Sequence, residues 1–197
     1  ARRAILATGA EERPLVFGGN DIPGVMLAGA MRTYLNRYAV APGRRVAVFT
    51  TNDSGYALSA DLEGAGIEVA AIVDTRPEGA FAWQGKARQI AGAFVTDAHG
   101  GKALSAIDIF RDGRSERIPV DALAMSGGFS PVIHLACQRG AKPRWSETAG
   151  AFLAPEVLEG LVPAGAVTGE QGIAAALASG VSAARTMLVE FGMSAAA

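Results

Sequence analysis

The sequence predicts an α/β fold built on a parallel β-sheet, with antiparallel hairpin strands added to it. A strand, a helix and a second strand follow one another within residues 44–74, a span typical of one βαβ unit, about 30 residues. The strands are too apolar to have a solvent-facing side, as is typical of parallel sheets covered on both faces. The 25 glycines are scattered among apolar runs, which favours many tight turns between strands and helices over a flexible linker.

The N-terminal elements are a short strand, a loop and a helix. Residues 3–7 form an apolar strand that ThrGly closes, and the polar, proline-containing stretch 11–23 is predicted to be a loop. From 24 to 38, apolar residues recur at helical spacing, and AlaProGly at 41–43 ends this helix. The helix therefore leads directly into the βαβ unit.

The βαβ unit begins with a β-branched strand at 44–50, continues with a helix at about 54–65 and ends with a strand at 66–74. A further helix is predicted around 81–90. After it, AlaPheValThrAsp and AlaLeuSerAlaIleAspIlePhe, with GlyGly between them and ArgAspGlyArg behind, indicate antiparallel strands joined by hairpins.

The C-terminal third returns to buried strands and one long helix. Residues 121–128 form an apolar strand that ends on small residues, and 162–167 form a second small-residue strand. A helix follows at about 170–188 and consists mostly of Ala with Gly and Ser. Because such side chains are small, this helix can approach a sheet or a ligand closely.

Composition excludes several classes of function. With 18 Lys+Arg and 19 Asp+Glu, the net charge is -1, and no basic block favours nucleic acid or an anionic membrane. Cys137 is the single cysteine, so neither a disulfide nor a zinc cluster nor a Cys-x-x-Cys pair can form within the chain. No apolar run reaches the roughly 20 residues of a membrane span, and no secretory leader is recognisable. We therefore expect a cytoplasmic protein without a membrane partner.

The turn after the first strand of the βαβ unit stands where a dinucleotide fold carries its Gly-x-Gly-x-x-Gly phosphate loop. Only Gly55 of those glycines is present in ThrThrAsnAspSerGlyTyr. Thr50 and Asn52 would crowd a pyrophosphate, and Asp53 would repel it. Asn52 and Ser54 remain candidates for hydrogen bonds to a cofactor or, alternatively, for capping the next helix.

Asp74 closes the second strand of the unit, about 20 residues beyond that loop. A carboxylate there accepts hydrogen bonds from an adenosine ribose diol, but a solvated aspartate at a strand end is an equal alternative. Arg76 could reach the 2′-phosphate of NADP only after offsetting the charge of Asp74. The pair therefore predicts NAD over NADP, and the ThrThrAsnAsp loop, which cannot hold a pyrophosphate, predicts weak affinity for either.

Long segments of the sequence resemble one family. LeuValPheGlyGlyAsnAspIleProGly, PheThrThrAsnAspSerGlyTyr and GlyGlyPheSerProValIleHis belong to stretches that are similar to the alpha subunit of heterotetrameric sarcosine oxidase, with relatives among opine and amino-acid dehydrogenase subunits. The broader architecture resembles the flavoproteins related to thioredoxin reductase, which have two dinucleotide-binding domains.

This resemblance implies a three-layer FAD/NAD(P)-binding, Rossmann-like fold. It places an inner NAD-binding-like domain at 41–118, and a discontinuous outer domain at 1–40 and 119–197 whose first strand and glycine loop are missing. It further implies a fragment of an oxidoreductase subunit with NAD as cofactor of the full-length protein, the other subunits of the complex as partners and sarcosine demethylation on a flavin held elsewhere. We expect the fragment to be inactive alone and to self-associate.

Two alternatives stay open: an NAD(P)H-dependent flavin oxidoreductase of the thioredoxin-reductase type, or a non-catalytic interaction scaffold. We predict neither a catalytic residue nor a metal site. His99 is expected in an exposed hairpin turn, and His134 and Cys137 are expected to pack in a core or an interface.

The resemblance also implies cofactor-binding positions in the outer domain. Thr8 and Gly9 end the first strand on residues small enough to turn beside a nucleotide, and Gly165 and Gly169 belong to the closing turn AlaGlyAlaValThrGly. Flavoproteins commonly have Asp at the position of Ala166, so its absence argues against flavin at this site.

Overall fold

The computed structural model describes residues 2–138, 140–155 and 160–193. The chain forms two compact units: unit 1 comprises Ala1–Glu11 and Phe129–Ala197, and unit 2 comprises Glu12–Gly128. These boundaries differ from the expected ones at 40/41 and 118/119, since the helix after residue 27 and the strand after residue 121 both belong to unit 2.

The described residues contain fourteen strands and four α-helices. The strands are β1 Ala4–Leu6, β2 Ala10–Glu12, β3 Val25–Leu27, β4 Arg45–Thr50, β5 Glu68–Asp74, β6 Arg88–Ala91, β7 Phe94–Gly100, β8 Leu104–Arg111, β9 Arg114–Pro119, β10 Ala122–Ser126, β11 Phe129–Pro131, β12 Arg144–Ser146, β13 Ala151–Leu153 and β14 Leu161–Pro163. The helices are α1 Ala28–Tyr38, α2 Ser54–Gly64, α3 His134–Cys137 and α4 Ile173–Glu190, and a 3₁₀ turn covers Gly165–Thr168.

Unit 2 is built on a five-stranded parallel sheet in the order β3-β10-β4-β5-β6. Val48 of β4 lies opposite Ala124 of β10 on one side and opposite Ile72 of β5 on the other. The helix α2 connects β4 to β5, as the βαβ pattern predicts. Every residue of β4 after Arg45 is buried, which confirms a sheet covered on both faces.

Alternate residues of the central strands face two different layers. Val46 and Val48 pack with the helices α1 and α2, whereas Ala47 and Phe49 pack with the antiparallel sheet β7-β8-β9. Each large aliphatic side chain buried in this way contributes about 1.5–3 kcal/mol relative to an exposed one. The predicted fold class, with a parallel sheet and antiparallel hairpins in three layers, is confirmed.

Helix α1 begins later than the predicted residue 24, because Val25–Leu27 pairs with β10 as an edge strand. Its first turn is capped from outside the helix: the Glu12 Oε2 atom accepts the Gly29 amide at 2.7 Å. A carboxylate at this end is favourable because the helix dipole is positive there.

The prediction of a helix at 81–90 is wrong. Residues 75–87 contain no helix, and Arg88–Ala91 forms the edge strand β6. Phe81 and Trp83 both contact the Tyr56 ring. Two residues separated by two positions cannot share one face of a helix, so these aromatic contacts require an extended chain.

Unit 1 contains three small strand pairs and the helix α4. Strands β1 and β14 are parallel, β2 pairs with β11, and β12 forms an antiparallel pair with β13. The strand predicted at 162–167 ends at Pro163 and is followed by the 3₁₀ turn. Among the described strands, β1 and β14 have no further neighbour.

Helix α4 presents most of its apolar side chains to solvent. Ala183 and Met187 are buried, while Ile173, Leu177 and Val189 are exposed. Judged by length and composition alone, α4 could cross a membrane, with a mean hydropathy of 1.2 and 11% of its residues buried. Long apolar helices of other kinds meet the same criteria, so the absence of a membrane partner stays a prediction.

The open β1–β14 pair generates a prediction about association. Ile5 in β1 is 43% exposed, and a parallel pair with free edges can accept another strand. We expect the chain to self-associate in the micromolar range, as measured by light scattering, and Ile5→Lys to weaken this association. The matched control is Val16→Lys in unit 2, where Val16 is 92% exposed. A strictly monomeric wild-type chain would contradict the prediction.

Candidate functional site

The candidate site lies at the carboxyl end of the parallel sheet in unit 2. In open α/β sheets, ligands bind outside the carboxyl ends of the strands. Strands β4, β5 and β10 end here on Thr50, Asp74 and Ser126, and all three side chains are buried. These three residues, with Asp74 as the one ionisable group, define the floor of the site.

The polar groups of the loop after β4 form hydrogen bonds with one another and with the end of β10. Thr50 Oγ1 donates to the Asn52 carbonyl at 2.7 Å. The Asn52 amide group donates to the carbonyl of Ser126 at 3.2 Å and to its hydroxyl at 3.1 Å. Asn52 Oδ1 accepts from the backbone amide of Ser54 at 3.0 Å and from its hydroxyl at 2.6 Å. Asn52 thus accepts hydrogen bonds from Ser54, the first residue of α2.

Gly55 is required by packing between helix and strand. A Cβ atom on Gly55 would lie 2.6 Å from the Thr50 Cβ atom, closer than two such atoms can approach. The third glycine of a dinucleotide fingerprint has the same role, since it permits close packing of helix and strand. The loop therefore keeps the packing glycine and lacks the glycines that would let a pyrophosphate approach.

Asp74 is 1% exposed and is surrounded by donors. Its Oδ2 atom accepts from the Tyr56 hydroxyl at 2.8 Å and from Arg76 Nη2 at 2.9 Å. Its Oδ1 atom accepts from the backbone amide of Arg76 at 2.9 Å and from Arg76 Nε at 3.1 Å. A buried carboxylate needs such pairing, so Asp74 is not the solvated strand end of the alternative prediction, and both of its oxygens accept from donors within the chain.

Arg76 joins Asp74 to the start of α2. Its Nη1 atom lies 2.7 Å from Asp53 Oδ1, and Asp53 is the residue immediately before α2. The hydrogen bond to Asp74 raises the pKa of Arg76, with Asp53 adding to the effect. The charged form of the guanidinium is therefore favoured.

An aromatic cluster packs around Tyr56, the tyrosine that donates to Asp74. The Tyr56 and Phe81 rings are stacked with centroids 4.1 Å apart, and Trp83 lies 5.8 Å from Tyr56. Gln89 donates to the Tyr56 hydroxyl at 2.7 Å. Burial and the hydrogen bond to Asp74 raise the pKa of Tyr56 to about 12. Sequence reasoning missed Tyr56 and Gln89; the available signal was a tyrosine at an apolar helix position, whose hydroxyl needs a partner when buried.

The outer candidates lie in unit 1 and have local structural roles. Thr8 Oγ1 donates to the Val132 carbonyl at 2.7 Å, and Gly9 has a φ of +76°. The Gly165 amide donates to Ser179 Oγ at 3.0 Å. Gly169 has a φ of +92°, and a Cβ on it would meet Leu153 at 2.6 Å. Cofactor binding by these four residues stays a prediction. The same holds for Asn52, Ser54, Gly55 and Asp74 in unit 2.

The structure places one of the two histidines in a different element than expected. His99 belongs to strand β7 rather than to a turn, and its Nε2 atom lies 2.7 Å from Asp108. Arg117, followed by His99, holds the pKa of Asp108 well below its usual range. His134 is exposed at the start of α3 and is therefore not a core histidine, while its expected place in an interface stays a prediction; Cys137 is half-buried.

A parallel sheet with this βαβ crossover, covered by helices on one face and by an antiparallel sheet on the other, defines the FAD/NAD(P)-binding, Rossmann-like class of fold. L-proline dehydrogenase from P. horikoshii shares this fold with a TM-score of 0.75 and 26% identity, over 100% of this chain and 36% of that one. Thioredoxin reductase from T. acidophilum superposes with a TM-score of 0.64 at 18% identity, over 93% of this chain and 62% of that one.

The sequence comparisons are more specific. The chain is 58% identical to the alpha subunit of sarcosine oxidase from Rhizobium meliloti (strain 1021), over 98% of this chain and 20% of that protein. It is 42% identical to the corresponding protein of Corynebacterium sp. (strain P-1), over 92% of this chain and 20% of the relative. An opine oxidase subunit of Rhizobium meliloti (strain 1021) is 27% identical, over 77% of this chain and 39% of that protein. No protein-family model matches the chain.

The chain belongs with the sarcosine oxidase alpha subunits, and it spans about a fifth of the length of these relatives. The resemblance found in the sequence is thereby confirmed. The fold is that of dinucleotide-binding oxidoreductases, whereas the identity of the dinucleotide is a separate question.

The contact between Gly55 and Thr50 yields a stability prediction. Gly55→Ala should lower the free energy of unfolding by about 1–3 kcal/mol, because the added methyl overpacks the helix–strand contact. Gly64→Ala, in the same helix, is the control: nothing lies within 4 Å of its added Cβ. It should be neutral or stabilise by about 0.5–1 kcal/mol. Urea unfolding measures both, and equal costs for the two variants would contradict the packing role of Gly55.

A second prediction concerns the pH dependence of Tyr56. Its pKa of about 12 lies above the ordinary tyrosine value of 10.0, so the folded state favours the neutral phenol. This contribution to stability is complete below about pH 10 and is lost as the pH rises through about 12. Ultraviolet titration should show one tyrosine ionising near pH 12, absent in Tyr56→Phe. Asp74→Asn should lower that pKa; an unchanged value would contradict the part assigned to Asp74.

Proposed function

We propose that this chain is part of the alpha subunit of a heterotetrameric, cytoplasmic sarcosine oxidase complex that demethylates sarcosine oxidatively. In this proposal the chain supplies a nucleotide-binding-fold portion of the subunit, while the chemistry takes place on a flavin held in another part of the complex. The observation that carries the proposal is the 58% identity to a sarcosine oxidase alpha subunit over 98% of the chain.

Two comparisons favour sarcosine oxidase over its relatives. Identity falls from 58% to 27% between the sarcosine oxidase and opine oxidase proteins of the same Rhizobium meliloti strain. The thioredoxin reductases match the chain in fold at 18% identity or less. A substrate preference follows close relatives more faithfully than it follows a shared fold. This supports sarcosine over an opine, and one component of a complex over a complete flavin reductase.

The proposal takes NAD as the dinucleotide of the full-length subunit. Ala166 leaves the closing turn of unit 1 without the carboxylate that flavoproteins commonly have there. Unit 2 contributes little to binding in this scheme, because Asp74 and the loop after β4 use their hydrogen bonds within the chain. The other subunits of the complex are the proposed partners.

A segment exchange tests the proposal. This chain would replace the matching segment of the Rhizobium meliloti sarcosine oxidase alpha subunit, coexpressed with its partner subunits. We expect the complex to assemble and to oxidise sarcosine within about tenfold of the native rate, a loss of at most about 1.4 kcal/mol of transition-state stabilisation.

The control exchange uses the matching segment of the opine oxidase subunit, which should assemble poorly. A complex that contains this chain and assembles, but oxidises another secondary amine in preference to sarcosine, would contradict the substrate. Reduction of flavin by NAD(P)H with the isolated chain would favour the reductase alternative.

A further inference from the structure

Arg76 bridges the two places that a dinucleotide contacts in a Rossmann-type unit. In such a unit the carboxylate at the end of the second strand accepts the adenosine ribose hydroxyls, and the pyrophosphate lies at the start of the first helix. In unit 2 these places correspond to Asp74 and to Asp53 at the start of α2. The guanidinium lies 2.9 Å from Asp74 and 2.7 Å from Asp53.

The Arg76 guanidinium occupies the hydrogen-bond acceptors that the ribose of a dinucleotide would need. Asp74 accepts from Arg76 through both carboxylate oxygens and from the Tyr56 hydroxyl. A ribose could bind only by displacing Arg76, which would leave an uncompensated charge at a residue that is 1% exposed. Asp53 in turn places a carboxylate where a phosphate would otherwise meet the helix dipole.

The neighbouring residues hold Arg76 in place. Its guanidinium lies 5.9 Å from the centre of the Tyr56 ring, and that ring is stacked on Phe81. The Gln89 side chain donates both to the Tyr56 hydroxyl and to the Phe81 carbonyl, at 2.7 and 3.0 Å. The segment after β5 is therefore held in place by contacts with Tyr56 and Gln89, and Arg76 is part of that segment.

We propose that Arg76 acts as an internal substitute for a dinucleotide: its side chain closes the carboxyl end of unit 2, so that this unit does not bind NAD, and any dinucleotide of the longer protein binds elsewhere. The proposal concerns unit 2 alone and stands independently of the substrate of the complex. It assigns Arg76 a role opposite to the one that its sequence position suggests, since it excludes a nucleotide rather than binding a 2′-phosphate.

The test is a nuclear magnetic resonance titration of the full 197-residue chain with adenosine and with NAD. Adenosine is used because it offers the ribose diol without a phosphate for Asp53 to repel. In the wild-type chain we expect no shift of the Tyr56 or Trp83 resonances with either compound up to about 1 mM. Shifts at these residues on adding NAD would overturn the proposal, whereas shifts confined to unit 1 would support it.

The variant Arg76→Ala should bind adenosine at least about tenfold more tightly than the wild type. Because it leaves Asp74 buried without its partner and could unfold, the double variant Asp74→Asn/Arg76→Ala carries the same expectation with a neutral acceptor. Arg88→Ala removes an equal charge at the start of β6, where Arg88 pairs with Glu116, and should behave as the wild type. If a folded variant lacking Arg76 binds adenosine no better than Arg88→Ala, the proposal is overturned.

Discussion

A buried carboxylate must be paired, and the carboxyl end of unit 2 is organised around that constraint at Asp74. The residue terminates β5, which lies between β4 and β6, and its side chain is buried. Water cannot solvate it there, and Arg76, Tyr56 and, through Tyr56, Gln89 supply the missing hydrogen bonds. The path of the chain after β5 follows from these contacts, because a regular helix would carry Arg76 and the aromatic residues away from the carboxylate.

Under the proposal made for Arg76, unit 2 keeps the dinucleotide-binding fold without groups that are free to bind a dinucleotide. The packing glycine, Gly55, remains because the distance between helix and strand depends on it. At the turn itself, Asn52 and Ser126 are bonded to each other. The fold depends on helix–strand packing, whereas ligand binding depends on free hydrogen-bonding groups at the strand ends. The hydrogen-bond partners at the strand ends are therefore a better guide to binding than a shared fold.

The sequence predicted the elements whose signal is local. Strands β4 and β5 are continuous apolar runs, and α2 lies between two clear turns, so all three were found. The position of Asp74 at a strand end followed from the same pattern. Its partner Tyr56 was not found, because a hydroxyl 18 residues away gives no periodic signal. The helix predicted at 81–90 failed for a related reason: its apolar residues pack on Tyr56, and composition alone does not distinguish that from an amphipathic face.

The place of β10 in the sheet has a consequence for the order of folding. In the sheet this strand lies between β3 and β4. In the sequence it follows both, and β5, β6 and the antiparallel sheet β7-β8-β9 come between β4 and β10. During synthesis, the edges of β3 and β4 that pair with β10 therefore stay unpaired until Ala122–Ser126 has left the ribosome. Pairings this distant in sequence close slowly and leave the nascent chain open to aggregation. The strand β1 stays unpaired longer still during synthesis, because its partner β14 lies in the C-terminal part of the chain.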